Sequence, residues 1–415
     1  MSRGRQFAVL LAAFGALVFD GVELGLMPVA SLSVSKSLLG EGYSAVVGGI
    51  WFARFTAALM LGAAVGGILF GWLGDRVGRK QALGWSVLFY SVFAGLGAFV
   101  ATQEQMLVLR FVVGLGVGGV WPNAVALVAE CWPDKSRPIV AGLMGAAINT
   151  GVLLLSQVAR EWPVSADSWR WLFKLAAVPA AWGIVVLALL PESPRWLAGR
   201  GAGRIQGGGS GDGVLGGLFR GSMLRVTLVG IVVGSIPLVG AWAASKWMIP
   251  WADKVGGVVE PGYKAKTQGW WAAGAILGSF TGAQIAGLLG RKRSYFLISL
   301  GATVLTVAMF QLTAPLRPSF HPVVFAQGFV ATLFFGWLPL YLPELFPTRV
   351  RAAGSGLAYN VGRFATAGGV LLAGTAFGWF GGSYVMVGTV AAMIYALGMV
   401  VIWWAPETIN RQLED

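Results

Sequence analysis

The chain is predicted to be all-α: a polytopic membrane protein whose twelve spanning helices form two pseudo-symmetric bundles of six. Three observations predict it. The composition is too apolar and too weakly charged for a water-soluble domain, the sequence holds twelve separate apolar stretches of membrane-spanning length, and motifs of its first half return in its second.

Of 415 residues, 56% are hydrophobic and only 11% charged, with 62 Gly and 19 Trp. A soluble chain of this length carries about 25% charged residues. A single Cys and a single His exclude a disulfide framework and any Cys/His metal cluster, and no GxxxxGK[ST] loop is present to cradle a nucleotide. No cofactor or metal is therefore expected, and an enzyme is a poor reading. The opening "MSRGRQFAVLLAAFGALV" imitates a signal peptide, but its apolar run continues through Asp20 without a small-residue cleavage site, so it reads as the first membrane helix.

The apolar stretches fall near 7–30, 46–71, 81–101, 105–129, 138–158, 171–190, 223–248, 267–289, 294–313, 321–343, 352–378 and 383–404. Lys and Arg outside them favour, by roughly two to one, the side that holds the N-terminus, which the positive-inside rule makes cytoplasmic. Both termini are then cytoplasmic, in the cell (inner) membrane. The net charge of +13 is mostly this topology signal and calls for no nucleic acid.

The repeat is sharper than the composition. "ECWPDKSR" (Glu130 to Arg137) and "ELFPTRVR" (Glu344 to Arg351) share E-x-x-P-x-x-x-R at the ends of the fourth and tenth spans, 214 residues apart from Glu130 to Glu344. "GWLGDRVGRK" (Gly71 to Lys80) has a degraded counterpart in "AGLLGRKR" (Ala286 to Arg293), with Gly287 where the acidic residue would stand. Two six-helix halves in one orientation follow, residues 1–198 and 223–415. Between them, residues 199–222 open on "GRGAGRIQGGGSGDG", a flexible Gly-rich linker expected on the cytoplasmic side.

These motifs carry a resemblance over nearly the whole chain. "GWLGDRVGRK" resembles the signature of the major facilitator superfamily between its second and third helices. "RFVVGLGVGG" from Arg110, "SWRWLF" from Ser168, "PESPRWL" from Pro191 and "PET" at Pro406 are similar to its sugar-porter and organic-ion branches. "FDGVE", "ARF", "ECWPDKSR" and "NVGRF" look most like the sialate and aromatic-acid proton symporters. The resemblance implies a secondary transporter working by alternating access. It also implies a cytoplasmic gate. Asp75, with Arg76 and Arg79, would latch the halves while the site faces outward, and Glu130, Arg137, Glu344 and Arg351 would form symmetric ion pairs broken on inward opening. Plain loop charge is the alternative for the Asp75 run.

Other features have blander readings. "GLGVGG" fits GxGxxG but lies inside an apolar span, so it reads as helix packing, as do Gly62-x-x-x-Gly66 and Gly274-x-x-x-Gly278. His321 in an outer loop and Cys131 at a helix end read as incidental, and one His makes a His-based proton relay unexpected.

Charges inside the spans carry the functional expectation, since a carboxylate at the bilayer centre costs roughly 2.5–3.5 kcal/mol. Glu23 and Arg110 both fall about 10 Å below the outer surface and can pair. Asp20, Arg54 and Arg363 fall about 14–16 Å from a helix end, the depth of transporter binding sites. Structural ion pairing is one reading of all five. Against it, two carboxylates face three guanidinium groups, and an anionic substrate would supply the missing charge through the bidentate fork of an arginine. Trp337, Tyr341, Tyr359 and Asn360 are expected wall residues, with packing against a neighbouring helix the alternative for the aromatic ones. The expected function is proton-coupled uptake of a small organic anion, a sugar acid or aromatic monocarboxylate, by a monomer in lipid, with Asp20, Glu23 and Arg110 coupling the proton. An uncoupled or exchange carrier for sugars or organic ions, and a non-transporting receptor-like relative, stand as rivals.

Overall fold

The computed structural model describes residues 3–132, 137–201, 218–347 and 350–408, and its described residues form helices and no strand. The first half runs α1 (Arg3–Leu39), α2 (Ala45–Val77), α3 (Arg79–Leu96), α4 (Gln103–Cys131) and α5 (Arg137–Glu161). The sixth predicted span is two pieces, α6 (Arg170–Leu175) and α7 (Pro179–Leu189), and a short α8 (Pro194–Gly201) follows. The second half opens with α9 (Gly221–Val239), a π-turn at Gly240–Ala244, a 3-10 turn at Ser245–Trp247 and α10 (Met248–Gly256), which together make the seventh span. Then come α11 (Tyr263–Leu289), α12 (Arg291–Gln311), α13 (Phe320–Glu344), α14 (Arg351–Trp379) and α15 (Tyr384–Val401).

Among the described residues, eleven segments are long and apolar enough to cross a membrane. The 29-residue α14, the eleventh of the twelve expected spans, is not among them. It is long enough, but Arg363 and its many glycines dilute its hydropathy. His321, expected in a loop, lies instead in the first turn of α13, its Nε2 3.2 Å from Thr267 Oγ1.

Local chemistry sets the helix ends. Ser44 caps α2 by accepting from Val47 N, and Thr102 with Gln105 forms a capping box on α4. The turns from α2 to α3 and from α11 to α12 pass through Gly78 (φ 116°) and Gly290 (φ 88°), where a side chain would be strained. These two glycines occupy equivalent places in the two repeats.

Glycine faces bring helices together backbone to backbone, at α1–α5 and α2–α4 in the first half and at α11–α13 in the second. A Cβ at Gly62 or Gly66 of α2 would come within 2.1 and 1.9 Å of carbonyl oxygens of α4, and a Cβ at Gly274 or Gly278 of α11 within 2.1 Å of those of α13. Gly118 of the "GLGVGG" run answers from α4, where a Cβ would come within 2.2 Å of the Ala63 carbonyl oxygen, so the run is a packing face. Across the halves, α2 packs on α14 and α5 on α11, equivalent pairs in the repeat. Between these seams lies a cavity.

Candidate functional site

The cavity has a volume of about 580 Å³ and is walled by both halves of the chain. At mid-bundle it is lined by Asp20 and Leu24 of α1, Met60 and Ala63 of α2, Lys246, and Arg363 of α14. It extends to Asp75, Arg79, Pro343 and Ser355, at the end of the bundle where α2 meets α3. Asp75 is 66% exposed there, so the cavity opens at this end.

The opposite end is shut. A Cβ on Gly49 would meet the Phe377 ring at 2.2 Å, and one on Gly374 would meet Ala53 at 2.4 Å, so α2 and α14 touch along their small residues. Trp247 fills the space behind them, stacked on Phe377 at 4.9 Å and edge-on to Phe52 at 5.2 Å. Polar contacts cross the seam as well. Lys264 Nζ of α11 donates to Ser33 Oγ of α1 at 2.9 Å and pairs with Asp253 at 3.0 Å. Gln268 Nε2 donates to the Gly25 carbonyl at 3.1 Å.

Asp20 and Glu23 stand one turn apart on α1, 2% and 1% exposed. Glu23 points into the first half, where its Oε1 accepts from Arg110 Nη1 at 2.5 Å. This pair lies behind the cavity wall. Its second carboxylate oxygen and the Arg110 Nε and Nη2 have no partner among the described residues, so the pair is closed by one hydrogen bond. Asp20 faces the cavity instead, within electrostatic reach of Arg363 and of Glu23. Its Oδ1 also lacks a partner among the described residues. Tyr90 of α3, fully buried, lies close enough to interact with both carboxylates and was not anticipated.

Arg363 is anchored across the halves. Its Nη1 donates to the Ala63 carbonyl at 2.9 Å and to the Gly118 carbonyl at 3.3 Å, and its guanidinium lies 5.2 Å from the Tyr359 ring. Tyr359 and Asn360 line the cavity beside it, where the sequence placed them.

Three expected binding residues are elsewhere. Arg54 is exposed on the outside of the bundle, over Trp51 at 4.8 Å, and does not line the cavity. The expectation took α2 to be about as long as the membrane is thick. Its 33 residues span about 50 Å against a hydrocarbon core of about 30 Å, so Arg54 sits nearer the interface, where a long cation snorkels. Trp337 and Tyr341 are fully buried in the second half, donating to the carbonyls of Arg291 and Pro406 at 2.9 and 2.7 Å. The cavity face of α13 is the other one, with Phe335, Leu338 and Leu342.

Lys246 takes the place that Arg54 vacates. It was counted at the edge of an apolar stretch, but the span continues to Gly256, which puts Lys246 at mid-helix on the cavity wall. The signal was present in "AWAASKWMIPWA", where apolar residues resume after the lysine. The tally of two carboxylates against three cations stands, with a different third cation.

At the open end the repeat is written in hydrogen bonds. Glu130 of α4 accepts from Arg79 Nε at 3.4 Å and from Ser193 Oγ, while Glu344 of α13 is gripped by Arg291 Nη2 at 2.7 Å and Nε at 3.0 Å and accepts from Thr408 Oγ1 at 2.5 Å. Glu192 of "PES" receives Lys80 N, and Glu407 of "PET" receives Arg291 N and Lys292 N, capping the starts of α3 and α12. Glu130 and Glu344 were expected to pair with Arg137 and Arg351. The side chains of those arginines lie outside the described residues, and the partners found are Arg79 and Arg291. Each pair joins helices of one half. Asp75 pairs with Arg79 at 2.7 Å, four residues on, and Arg76 lies over Trp72 at 4.1 Å. Linker residues 202–217 likewise lie outside the described residues.

The sequence profile of the family described as "Sugar (and other) transporter" matches residues 9–206 and 268–415. The cis,cis-muconate transport protein of Acinetobacter baylyi is 29% identical over 92% of this chain and 92% of its own. The gentisate transporter of Corynebacterium glutamicum is 26% identical over 96% of this chain and 88% of its own. Among solved structures, the proton:xylose symporter XylE of Escherichia coli superposes with a TM-score of 0.74 over 100% of this chain and 98% of that one, at 18% identity. A helical membrane fold with a central cavity between two related halves, and a profile match over most of its length, have one consequence: the chain belongs to the sugar (and other) transporter family of the major facilitator superfamily, and it is an integral membrane transporter, not an enzyme.

Proposed function

We propose that this transporter imports a small organic anion together with protons by alternating access. The observation that carries the reading is a division of labour on one turn of α1: Asp20 looks into the cavity towards Arg363, and Glu23 is paired with Arg110 just behind it. Protonating Glu23 or Asp20 removes a charge that a buried arginine relies on. Proton binding then changes the relative stability of the two cavity orientations, which is what coupling requires. The muconate and gentisate that name two relatives are small organic acids, which supports the anion.

The excess of basic loop residues supports a cytoplasmic place for the Arg79 end and for both termini, with the protein working as a monomer in the inner membrane. The cavity that opens at that end is then inward-facing. The halves, residues 1–198 and 223–415, rock about the α2–α14 and α5–α11 seams while residues 199–222 keep them joined. In this orientation the Asp75 side chain makes no ion pair with the other half among the described residues, which fits a disengaged latch at Asp75; Arg76, Arg79, Glu130, Arg137, Glu344 and Arg351 complete the proposed gate.

Uptake of gentisate and cis,cis-muconate into proteoliposomes tests the reading. Accumulation that follows an inward proton gradient, and collapses when the gradient is dissipated, is the expected outcome. Gradient-independent equilibration would make the protein an uncoupled or exchange carrier in which the Glu23–Arg110 pair stays closed.

A further inference from the structure

Lys246 has no role in the coupling scheme, and its setting gives it one. The seventh span widens into a π-turn at Gly240–Ala244 and tightens at Ser245–Trp247 before α10 resumes. Breaks of this kind recur at functional sites because they turn side chains out of the regular helical register. Here the break delivers a lysine that is 4% exposed to the cavity wall. Its Nζ lies 3.5 Å from the centroid of Trp271 and 5.8 Å from that of Trp242.

No carboxylate and no hydrogen-bond acceptor meets this ammonium among the described residues. The other cations nearby are compensated: buried Arg110 by Glu23, buried Lys264 by Asp253, and half-buried Arg363 by two carbonyls and the charge of Asp20. A cation at this depth is expensive without a partner, and an indole face offsets only part of that cost.

The indole under it is locked in place. Trp271 Nε1 donates to Gln327 Oε1 at 2.7 Å, and Gln327 Nε2 donates to Ser245 Oγ at 2.6 Å and Thr306 Oγ1 at 3.1 Å. Ser245, next to Lys246 in sequence, also meets Tyr395 OH at 3.2 Å. Gln327, Ser245, Thr306 and Tyr395 are all fully buried and come from four different segments. A purely apolar wall would need no such network. A rigid platform that presents an uncompensated cation to a cavity does.

We propose that Lys246, seated on Trp271, binds the carboxylate of the transported anion, while Arg363 remains committed to the backbone of α2 and α4. This rests on the organic-anion reading above. It assigns recognition to the second half and coupling to the first, so that the substrate carboxylate bridges the two.

The test uses the purified full chain, with gentisate and its neutral carboxamide as probes and cis,cis-muconate as a second acid, by calorimetry and by thermal shift. The unmodified protein should bind an acid at least about tenfold more tightly than the amide. Lys246→Met keeps the length and apolar stem of the side chain and should erase that preference, whereas Lys246→Arg should keep most of it. Lys246→Gln serves if the Met variant does not fold, as judged by its unliganded melting. If the unmodified protein prefers the acid and the neutral variant binds it within twofold of normal, the Lys246 assignment is overturned and the organic-anion reading stands. If the unmodified protein binds neither acid, or binds acid and amide alike, the organic-anion reading falls and takes the assignment with it.

Discussion

Glu23 and Arg110 are joined by a 2.5 Å contact between α1 and α4, and both side chains are 1% exposed. A buried pair of this kind is a poor source of stability, because desolvating both charges offsets their attraction. Its value lies in what happens when one charge is removed.

Glu23→Gln mimics a permanently protonated carboxyl and keeps the size of the side chain. The variant should still exchange labelled gentisate across a proteoliposome membrane, but an imposed proton gradient should no longer drive accumulation. Asp20→Asn, measured in parallel, identifies which carboxylate carries the proton. Gradient-driven accumulation by both variants would remove α1 from the coupling scheme.

Arg363 and Arg54, equal candidates by sequence, should separate by more than tenfold in uptake rate. Arg363→Met leaves Asp20 facing the cavity without its counter-charge and severs the hydrogen bonds to Ala63 and Gly118, so initial uptake should fall at least about tenfold. Arg54→Met, on the exposed face of α2, should leave uptake within about twofold of normal, since substitutions at such positions rarely exceed about 0.5 kcal/mol.

Equivalent ion pairs at the open end should differ in strength. Arg291 holds Glu344 with two hydrogen bonds and Arg79 reaches Glu130 with one long one. Arg291→Lys loses the fork and should cost about 1–3 kcal/mol, against less than about 1 kcal/mol for Arg79→Lys. Equal shifts in thermal or denaturant unfolding would contradict the geometric difference.

Removing the cation that ties the shut end together should open it. Lys264→Met abolishes the bond to Ser33 across the halves and strands Asp253. A cysteine introduced at buried Val34, in a Cys131→Ser background, should then react faster with a membrane-impermeant maleimide added from that side. An unchanged labelling rate would mean that α2 and α14 hold the end shut without Lys264.

Asp75→Asn tests the gate from the other direction. If Asp75 latches the halves only when the cavity faces outward, its loss should raise the inward-facing population, read as faster labelling, from the Arg79 end, of a cysteine introduced at cavity-lining Ala129 in a Cys131→Ser background. No change would leave Asp75 as a loop charge paired with Arg79.

Much of this molecule was legible in one dimension, and for identifiable reasons. Lipid forces backbone hydrogen bonds to be satisfied within each segment, so apolar runs of sufficient length can only be helices, and most of the spans could be read directly. The repeat of Glu130 in Glu344 and of Gly78-Arg79 in Gly290-Arg291 is a property of residue order, and it foretold the paired architecture of the open end. Glu23 and Arg110 could be matched because both are charges that hydrocarbon would not tolerate alone. Which face of a helix meets the cavity is different in kind, because it depends on rotation, tilt and overhang, and these are set by neighbouring helices. The overhang of α2 carried Arg54 out of the site, the rotation of α13 turned Trp337 and Tyr341 into the second half, and the break after Val239 turned Lys246 in. Neighbour contacts of this sort, such as the Trp271–Gln327–Ser245 chain beneath Lys246, join residues far apart in sequence, and only packing in three dimensions brings them together.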